Sequence, residues 1–224
     1  MKEKKFIQKV AKFYKNLDNN LKLTVPNETI YRLLGNYKFQ FKKKKILDIG
    51  IGNGDNILEF KRRGAEVFGI DIRKNLINKI VKNNNLRRNN FFAVDLNETF
   101  PKLNIKVDLC NFKDTIYYLD TASQFRVFEN IHKILKKNGL FLFQYIQAEL
   151  LIEKHNHFDY FINSGMKKQA QYHEKGNPVK FLKEKHIKKL AKKFKILNSI
   201  FDIDTQIQKN RKIVTINRYF LLQK

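Results

Sequence analysis

The feature that most constrains the fold is a glycine-rich stretch at residues 46–56, which reads ILDIGIGNGDN. Its first part, 46–49, is a short apolar run typical of a strand that is covered on both faces. Glycines at positions 50, 52 and 54 allow a tight turn and a close approach of the backbone to a ligand. The helix predicted after them points its free amide groups back at that ligand. The stretch therefore predicts a strand, a turn and a helix arranged around a nucleotide-type cofactor.

The details of the turn distinguish between two kinds of cofactor. A dinucleotide fingerprint is G-x-G-x-x-G, whose third glycine would stand at Asp55, whereas this turn is G-x-G-x-G. Asp48 lies two residues before the first glycine, and a carboxylate there suits a cationic ligand end better than a pyrophosphate. The stretch resembles the first motif of the class I S-adenosylmethionine-dependent methyltransferases, of the small-molecule type. That resemblance implies S-adenosyl-L-methionine as cofactor, with its amino-acid end held by Asp48, Gly50, Gly52 and Gly54.

Carboxylates also follow the next two predicted strands. The second strand ends at Asp71, which lies 21 residues after Gly50. At this spacing a strand-end carboxylate meets the ribose in a βαβ unit, because its two oxygens match the vicinal hydroxyls. Ile72 would then offer an apolar surface to the adenine. The third strand is followed by Asp95 and Leu96. The resemblance implies that Asp95 accepts a hydrogen bond from the adenine amino group and that Leu96 packs on the ring.

Asn111 ends the fourth predicted strand, at the edge where the transferred methyl group would lie. The resemblance implies that Asn111 lies beside the methyl donor. Cys110 is not preceded by proline, and Asn111 is not followed by Pro-Pro-aromatic, so two patterns of DNA base methyltransferases are absent. Both absences argue against base modification. Cys110 is predicted to be a small core residue.

The resemblance extends over nearly the whole chain. It implies an α/β fold, a Rossmann-like three-layer sandwich with a seven-stranded, mostly parallel sheet that ends in an antiparallel strand pair. A long amphipathic helix closed by residues 136–139 precedes an apolar strand at 140–143, as in the family. Segments at 194–197 and 212–222 resemble the closing antiparallel pair.

We predict a single methyltransferase domain over residues 1–224. Its parts are an N-terminal helical cap (1–44), a cofactor-binding core (45–143), a substrate-facing cap (144–193) and closing strands (194–224). The first cap should contain an amphipathic helix over 2–17. His155, His157 and His173 fall in the second cap, but they have no partner set at metal-ligand spacing, so no metal site is predicted.

The charge balance points to a polyanionic partner or to compositional bias. Lys and Arg number 46 against 21 Asp and Glu, a formal net charge of +25. Such a charge suits nucleic acid, but the lysines are spread along the whole chain and arginine, the better reader of bases and phosphates, is scarce. The single cysteine fits a reducing compartment, and no apolar run approaches the length of a membrane span. A soluble, cytoplasmic protein is the expectation.

Three functions are compatible with these patterns. The first is an enzyme that methylates an oxygen or nitrogen of a small polar acceptor, such as a sugar or a cell-envelope polysaccharide precursor. The second is an RNA methyltransferase that binds its substrate through the basic surface. A non-catalytic binding module is disfavoured, because every cofactor position holds a suitable residue. No catalytic residue is predicted, since in-line attack on the sulfonium methyl mainly requires alignment and exclusion of water.

Overall fold

A central sheet organises the chain. The computed structural model describes residues 25–153, 166–168, 178–180, 182–208 and 211–224. The helix predicted over 2–17 and the three histidines of the predicted substrate-facing cap lie outside these residues. None of the helices in the described ranges has the length and apolarity that crossing a bilayer requires.

The sheet has seven strands in the order β3-β2-β1-β4-β5-β9-β8, and a separate two-stranded sheet pairs β6 with β7. The strands are β1 (Lys45–Ile49), β2 (Glu66–Asp71), β3 (Phe91–Ala93), β4 (Val107–Phe112), β5 (Leu135–Glu153), β6 (Met166–Lys168), β7 (Pro178–Lys180), β8 (Lys195–Gln208) and β9 (Arg211–Gln223). Strands β1 to β5 pair in parallel, whereas β9 is antiparallel to both of its neighbours. The predicted fold class is confirmed.

Helices cover both faces of the sheet and produce the three layers. They are α1 (Glu28–Asn36), α2 (Asp55–Arg62), α3 (Lys74–Asn83), α4 (Thr121–Ile134) and α5 (Glu184–Leu190). The buried faces of α1, α2 and α3 share one apolar cluster with alternate residues of the strands. Helices α4 and α5 pack in a second cluster on the opposite face. Cys110 is fully buried in this second cluster, as predicted for a core residue.

Strand β5 is longer than the sequence indicated. It begins at Leu135, so residues 136–139, predicted to close a helix, fall within its bounds, and a register shift separates its pairing at Leu135 from that at Leu140. It also continues beyond Phe143, where its pairing with β4 ends, to Glu153. Strands β9 and β8 follow it over this extension. The first ten residues of the predicted substrate-facing cap are therefore strand.

Candidate cofactor site

The glycine turn lies where β1 ends and α2 begins. Gly50, Gly52 and Gly54 have positive φ angles of 76°, 55° and 94°, a region that side chains disfavour. The amide of Gly50 donates to the carbonyl of Ile70 over 2.8 Å, which fixes the turn against β2. A Cβ added at Gly50 would overlap Thr115 Oγ1 and lie 3.1 Å from Thr115 Cβ. The turn therefore requires glycine at position 50 for both its conformation and its space.

A buried carboxylate lies directly before this turn. Asp48 and Asn111 are register partners in β1 and β4, and they are 2% and 1% exposed. Asn111 Nδ2 donates a hydrogen bond of 2.7 Å to Asp48 Oδ1. Burial raises the pKa of Asp48 to about 7, although Asn111 and Lys113 oppose the shift. Asn111 Oδ1 is buried and has no hydrogen-bond partner among the residues that the structure describes, and a polar atom in that condition is costly unless a ligand satisfies it.

Lys113 is a site residue that the sequence analysis did not identify. It directly follows β4, its side chain is one-fifth exposed, and it forms an ion pair with Asp114. Burial lowers the pKa of Lys113 to about 8, against the opposing effects of Asp48, Asp55 and Asp202. No sequence signal marks this lysine, because lysines after strands are normally exposed. The structure therefore adds a half-buried amine beside Asn111.

Asp71 joins the second strand to the glycine turn. Its Oδ2 accepts a hydrogen bond from the Gly52 amide over 3.0 Å. Its Oδ1 accepts from the backbone amide and from Nε of Arg73, over 2.9 Å and 3.2 Å. Each carboxylate oxygen keeps further lone-pair capacity for a hydroxyl. Arg73, which the sequence analysis also missed, lies beside the turn, with Nη2 3.9 Å from where a Cβ of Gly52 would stand.

The three residues predicted to contact the adenine differ in how far they are buried. Ile72 is half-buried directly after β2. Asp95 is half-buried after β3, and its Oδ1 accepts from the amide of Asn97 over 3.0 Å. Leu96 is 6% exposed and packs in the core cluster under α4. Hydrogen bonds thus link Asp48 to Asn111 and Asp71 to the glycine turn, and Leu96 packs in the core cluster.

Polar side chains on β5, β9 and β8 extend the candidate site beyond β4. Gln144 is fully buried in β5; its Oε1 accepts from the Asp114 amide and its Nε2 donates to Asn217 Oδ1, both over 2.8 Å. In β8, which pairs with β9, Asp202 Oδ2 accepts from Thr29 Oγ1 of α1 over 3.1 Å. In the part of the chain that the structure describes, no group of His, Cys, Asp or Glu side chains is arranged to hold a metal ion. The site is therefore a row of carboxylates, amides and one amine along the carboxyl edge.

A parallel sheet of this order with an antiparallel last pair, and a glycine turn after its first strand, defines the class I S-adenosylmethionine-dependent methyltransferases. The family model described as a methyltransferase domain matches residues 23–194. The chain belongs to this methyltransferase family.

Solved structures share the fold at low sequence identity. The chain is similar to magnesium protoporphyrin IX methyltransferase from Synechocystis with bound S-adenosylhomocysteine, with a TM-score of 0.64, 12% identity, and coverage of 97% of this chain and 99% of that one. It is also similar to the N-methyltransferase NodS from Bradyrhizobium japonicum in complex with S-adenosylhomocysteine. The TM-score is 0.62 and the identity 13%, with coverage of 98% of this chain and 98% of that one.

A curated relative matches over a shorter range. The ribosomal RNA small subunit methyltransferase A of Wigglesworthia glossinidia brevipalpis is 27% identical over 126 residues, which are 53% of this chain and 47% of that protein. The chain thus aligns with about half the length of this relative.

Proposed function

We propose that the protein binds S-adenosylmethionine at the carboxyl edge of β1, β2 and β4 and transfers its methyl group to an oxygen or nitrogen of a small polar acceptor. The observation that carries the proposal is the buried pair of Asp48 and Asn111 beside the glycine turn. This pair combines a carboxylate with a buried acceptor oxygen, Asn111 Oδ1, that has no partner. An ammonium donor supplies both the positive charge and the missing hydrogen bond.

The residues around the turn fit the other parts of the cofactor. The positive φ angles of Gly50, Gly52 and Gly54 would turn the backbone around the amino-acid end, and Asp71 is already fixed against the turn by the Gly52 amide. Asp71 would accept from the ribose hydroxyls, while Ile72 and Asp95 would border the adenine. Leu96 would pack beneath the adenine from its position in the core cluster.

The reaction requires little of the chain beyond alignment. When bound, the sulfonium supplies an electrophilic methyl group. The turn and the residues after β4 would hold the donor and acceptor in line and exclude water, which accounts for much of the rate in such displacements. Asn111 would lie beside the donor.

The long strands and the charged residues around the carboxyl edge indicate the size and charge of the acceptor. Strands β5, β9 and β8 extend past the end of β4 by ten residues of β5, or about 33 Å at 3.3 Å per residue, and would form one wall of an acceptor site. Six described carboxylates along the edge outnumber its four described cations. The carboxylates are Asp48, Asp55, Asp71, Asp95, Asp114 and Asp202, and the cations are Arg73, Lys74, Lys113 and Arg218. Such an edge favours a neutral polar acceptor, such as a sugar or an envelope polysaccharide precursor, over a polyanion.

Calorimetry of S-adenosylhomocysteine binding tests the cofactor assignment. We expect wild type to bind, and Asp71→Ala to bind at least tenfold more weakly, because hydrogen bonds to a charged group contribute roughly 1.5–3 kcal/mol. Glu66→Ala is the matched control, since Glu66 begins the same strand that Asp71 ends. Absence of binding by wild type, or an equal loss in both variants, would contradict the assignment.

RNA is the alternative acceptor, favoured by the net charge of +25 and by the matched RNA methyltransferase relative. Incubation with methyl-labelled S-adenosylmethionine and a fractionated cell extract separates the two acceptors. We expect label in the small-molecule or glycan fraction, and expect it to survive ribonuclease treatment. Label that appears in RNA and is released by ribonuclease would establish the alternative.

A further inference from the structure

Ten of the described lysines lie at the edge of the sheet opposite the cofactor site. The strands β1 and β4 begin at this edge, β8 also begins here, and β9 ends here. We call its cations the lysine edge: Lys42, Lys43, Lys44, Lys45, Lys106, Lys133, Lys136, Lys137, Lys195 and Lys224. The topology therefore gathers residues that are far apart in sequence.

Contacts link several of these lysines across neighbouring elements. Asp108 in β4 lies between Lys44, at 3.6 Å, and Lys136, at 2.8 Å. Lys106 Nζ donates to the carbonyl of Lys133 over 2.6 Å. Lys224 Nζ donates to the carbonyl of Leu135 over 2.9 Å, which brings the end of β9 to the start of β5.

The carboxylates within the lysine edge are already paired. Asp108 has the two lysine partners given above and also accepts from the Lys45 amide over 2.9 Å. Glu66 lies 3.8 Å from Lys45 and 3.6 Å from Arg87. A surplus of positive charge therefore remains on exposed lysines such as Lys43 and Lys137.

Helix stabilisation does not account for this surplus. Cations at the carboxyl ends of helices complement the helix dipole, and Lys133 fits that role at the end of α4. Lys42, Lys43, Lys106 and Lys195 belong to no helix. Their shared position needs another explanation.

We infer that the lysine edge docks the protein on RNA through the phosphate backbone. From β1 across β4, β5 and β9 to β8 the edge spans about 19 Å, at about 4.8 Å between strands. A nucleic-acid duplex presents roughly one phosphate charge per 1.7 Å of its axis when both strands are counted, so about eleven phosphates fall within this width and the edge faces part of them. Lysines act as point charges and suit backbone contacts without base reading. Among polyanions we favour RNA, because the matched relative is named a ribosomal RNA methyltransferase.

This docking surface is separate from the proposed acceptor site, which lies at the opposite ends of the same strands. RNA held here would position the enzyme rather than enter its site. The inference therefore does not depend on the proposed small-molecule acceptor.

The test uses a 20-base-pair RNA duplex of arbitrary sequence and fluorescence anisotropy between 50 and 300 mM salt. The edge variant combines Lys42→Gln, Lys43→Gln, Lys137→Gln and Lys195→Gln, all at exposed positions. The control variant carries the same four-charge change at the exposed Lys74, Lys183, Lys185 and Lys189. S-adenosylhomocysteine binding, measured by calorimetry, monitors the folding of both variants independently of RNA.

For wild type we expect the logarithm of the RNA affinity to fall steeply with the logarithm of salt concentration. The edge variant should lose at least tenfold in affinity at 100 mM salt and up to about 3.6 units of that slope, at roughly 0.9 for each of four phosphate contacts. The control should change less than threefold. Equal losses in the two variants would show that only net charge matters and would overturn the inference. So would tighter wild-type binding to phosphatidylserine-containing vesicles than to RNA.

Discussion

At the scale of single residues, Asp48 combines a cost to the fold with its proposed role in ligand binding. Its pKa is raised by burial from an ordinary 3.8 to about 7. The folded state therefore holds a proton that the unfolded chain releases, and the free energy of unfolding falls as pH rises from about 4 to about 7. At about 1.4 kcal/mol per pKa unit this loss is at most about 4 kcal/mol.

Asp48→Asn should therefore stabilise the protein while weakening cofactor binding. The amide keeps an oxygen that can accept from Asn111 but removes the buried charge. We expect the variant to be more stable than wild type at pH 8 by a few kcal/mol and nearly equal to it at pH 4. Urea denaturation across this pH range gives the difference, and calorimetry should show at least tenfold weaker binding of S-adenosylmethionine. A stability difference that does not vary with pH would contradict the role of the buried carboxylate.

At the scale of elements, the turn between β1 and α2 depends on glycine at position 50. Gly50→Ala would place a Cβ against Thr115 at a positive φ of 76°. We expect a destabilisation of about 1–3 kcal/mol and loss of detectable S-adenosylhomocysteine binding. Gly35→Ala is the control, because Gly35 lies in α1 and a Cβ there would meet nothing within 4 Å. The control should be neutral or stabilised by up to about 1 kcal/mol, and thermal melts with calorimetry would measure both. Retained binding by Gly50→Ala would show that the turn tolerates a side chain.

The same elements show how far the sequence could predict the structure. The glycine pattern and the carboxylates at the ends of β1 and β2 are local signals, so the turn with Asp48 and Asp71 beside it could be placed before the fold was known. The contact between Asp48 and Asn111 depends on the register of β1 with β4, which pairs residues 63 positions apart. The burial of Lys113 and the position of Arg73 are likewise products of packing.

Strand β5 was predicted too short for a comparable reason. Residues 136–139 carry two lysines, an asparagine and a glycine, which locally favour a helix end. Beyond Phe143, β9 is the neighbour of β5 among the described strands of the large sheet, and its residues follow more than 55 positions later. Pairing at that distance leaves no local signal in residues 144–153. The long ribbon of β5, β9 and β8 is therefore a property of the tertiary structure.

At the scale of the whole molecule, charge is segregated along the strands. The cofactor edge holds Asp48, Asp55 and Asp71, whereas the lysine edge holds most of the cations discussed above. Strand β1 has five residues, so the two edges lie about 17 Å apart at 3.3 Å per residue. At 0.1 M salt the screening length is about 10 Å. A ligand at the cofactor edge should therefore respond to the nearby carboxylates and little to the distant lysines, despite a net charge of +25.

This segregation predicts how salt affects the two forms of the cofactor. S-adenosylmethionine carries one more positive charge than S-adenosylhomocysteine, because the sulfonium loses its charge with the methyl group. We expect affinity for S-adenosylmethionine to fall several-fold between 0.1 and 0.5 M salt, since the attraction to the site carboxylates is increasingly screened. Affinity for S-adenosylhomocysteine, the matched neutral ligand, should change less than twofold in the same calorimetric titrations. A rise in S-adenosylmethionine affinity with salt would mean that the lysines dominate the potential at the site, and equal responses of the two ligands would mean that the carboxylates do not face the sulfonium.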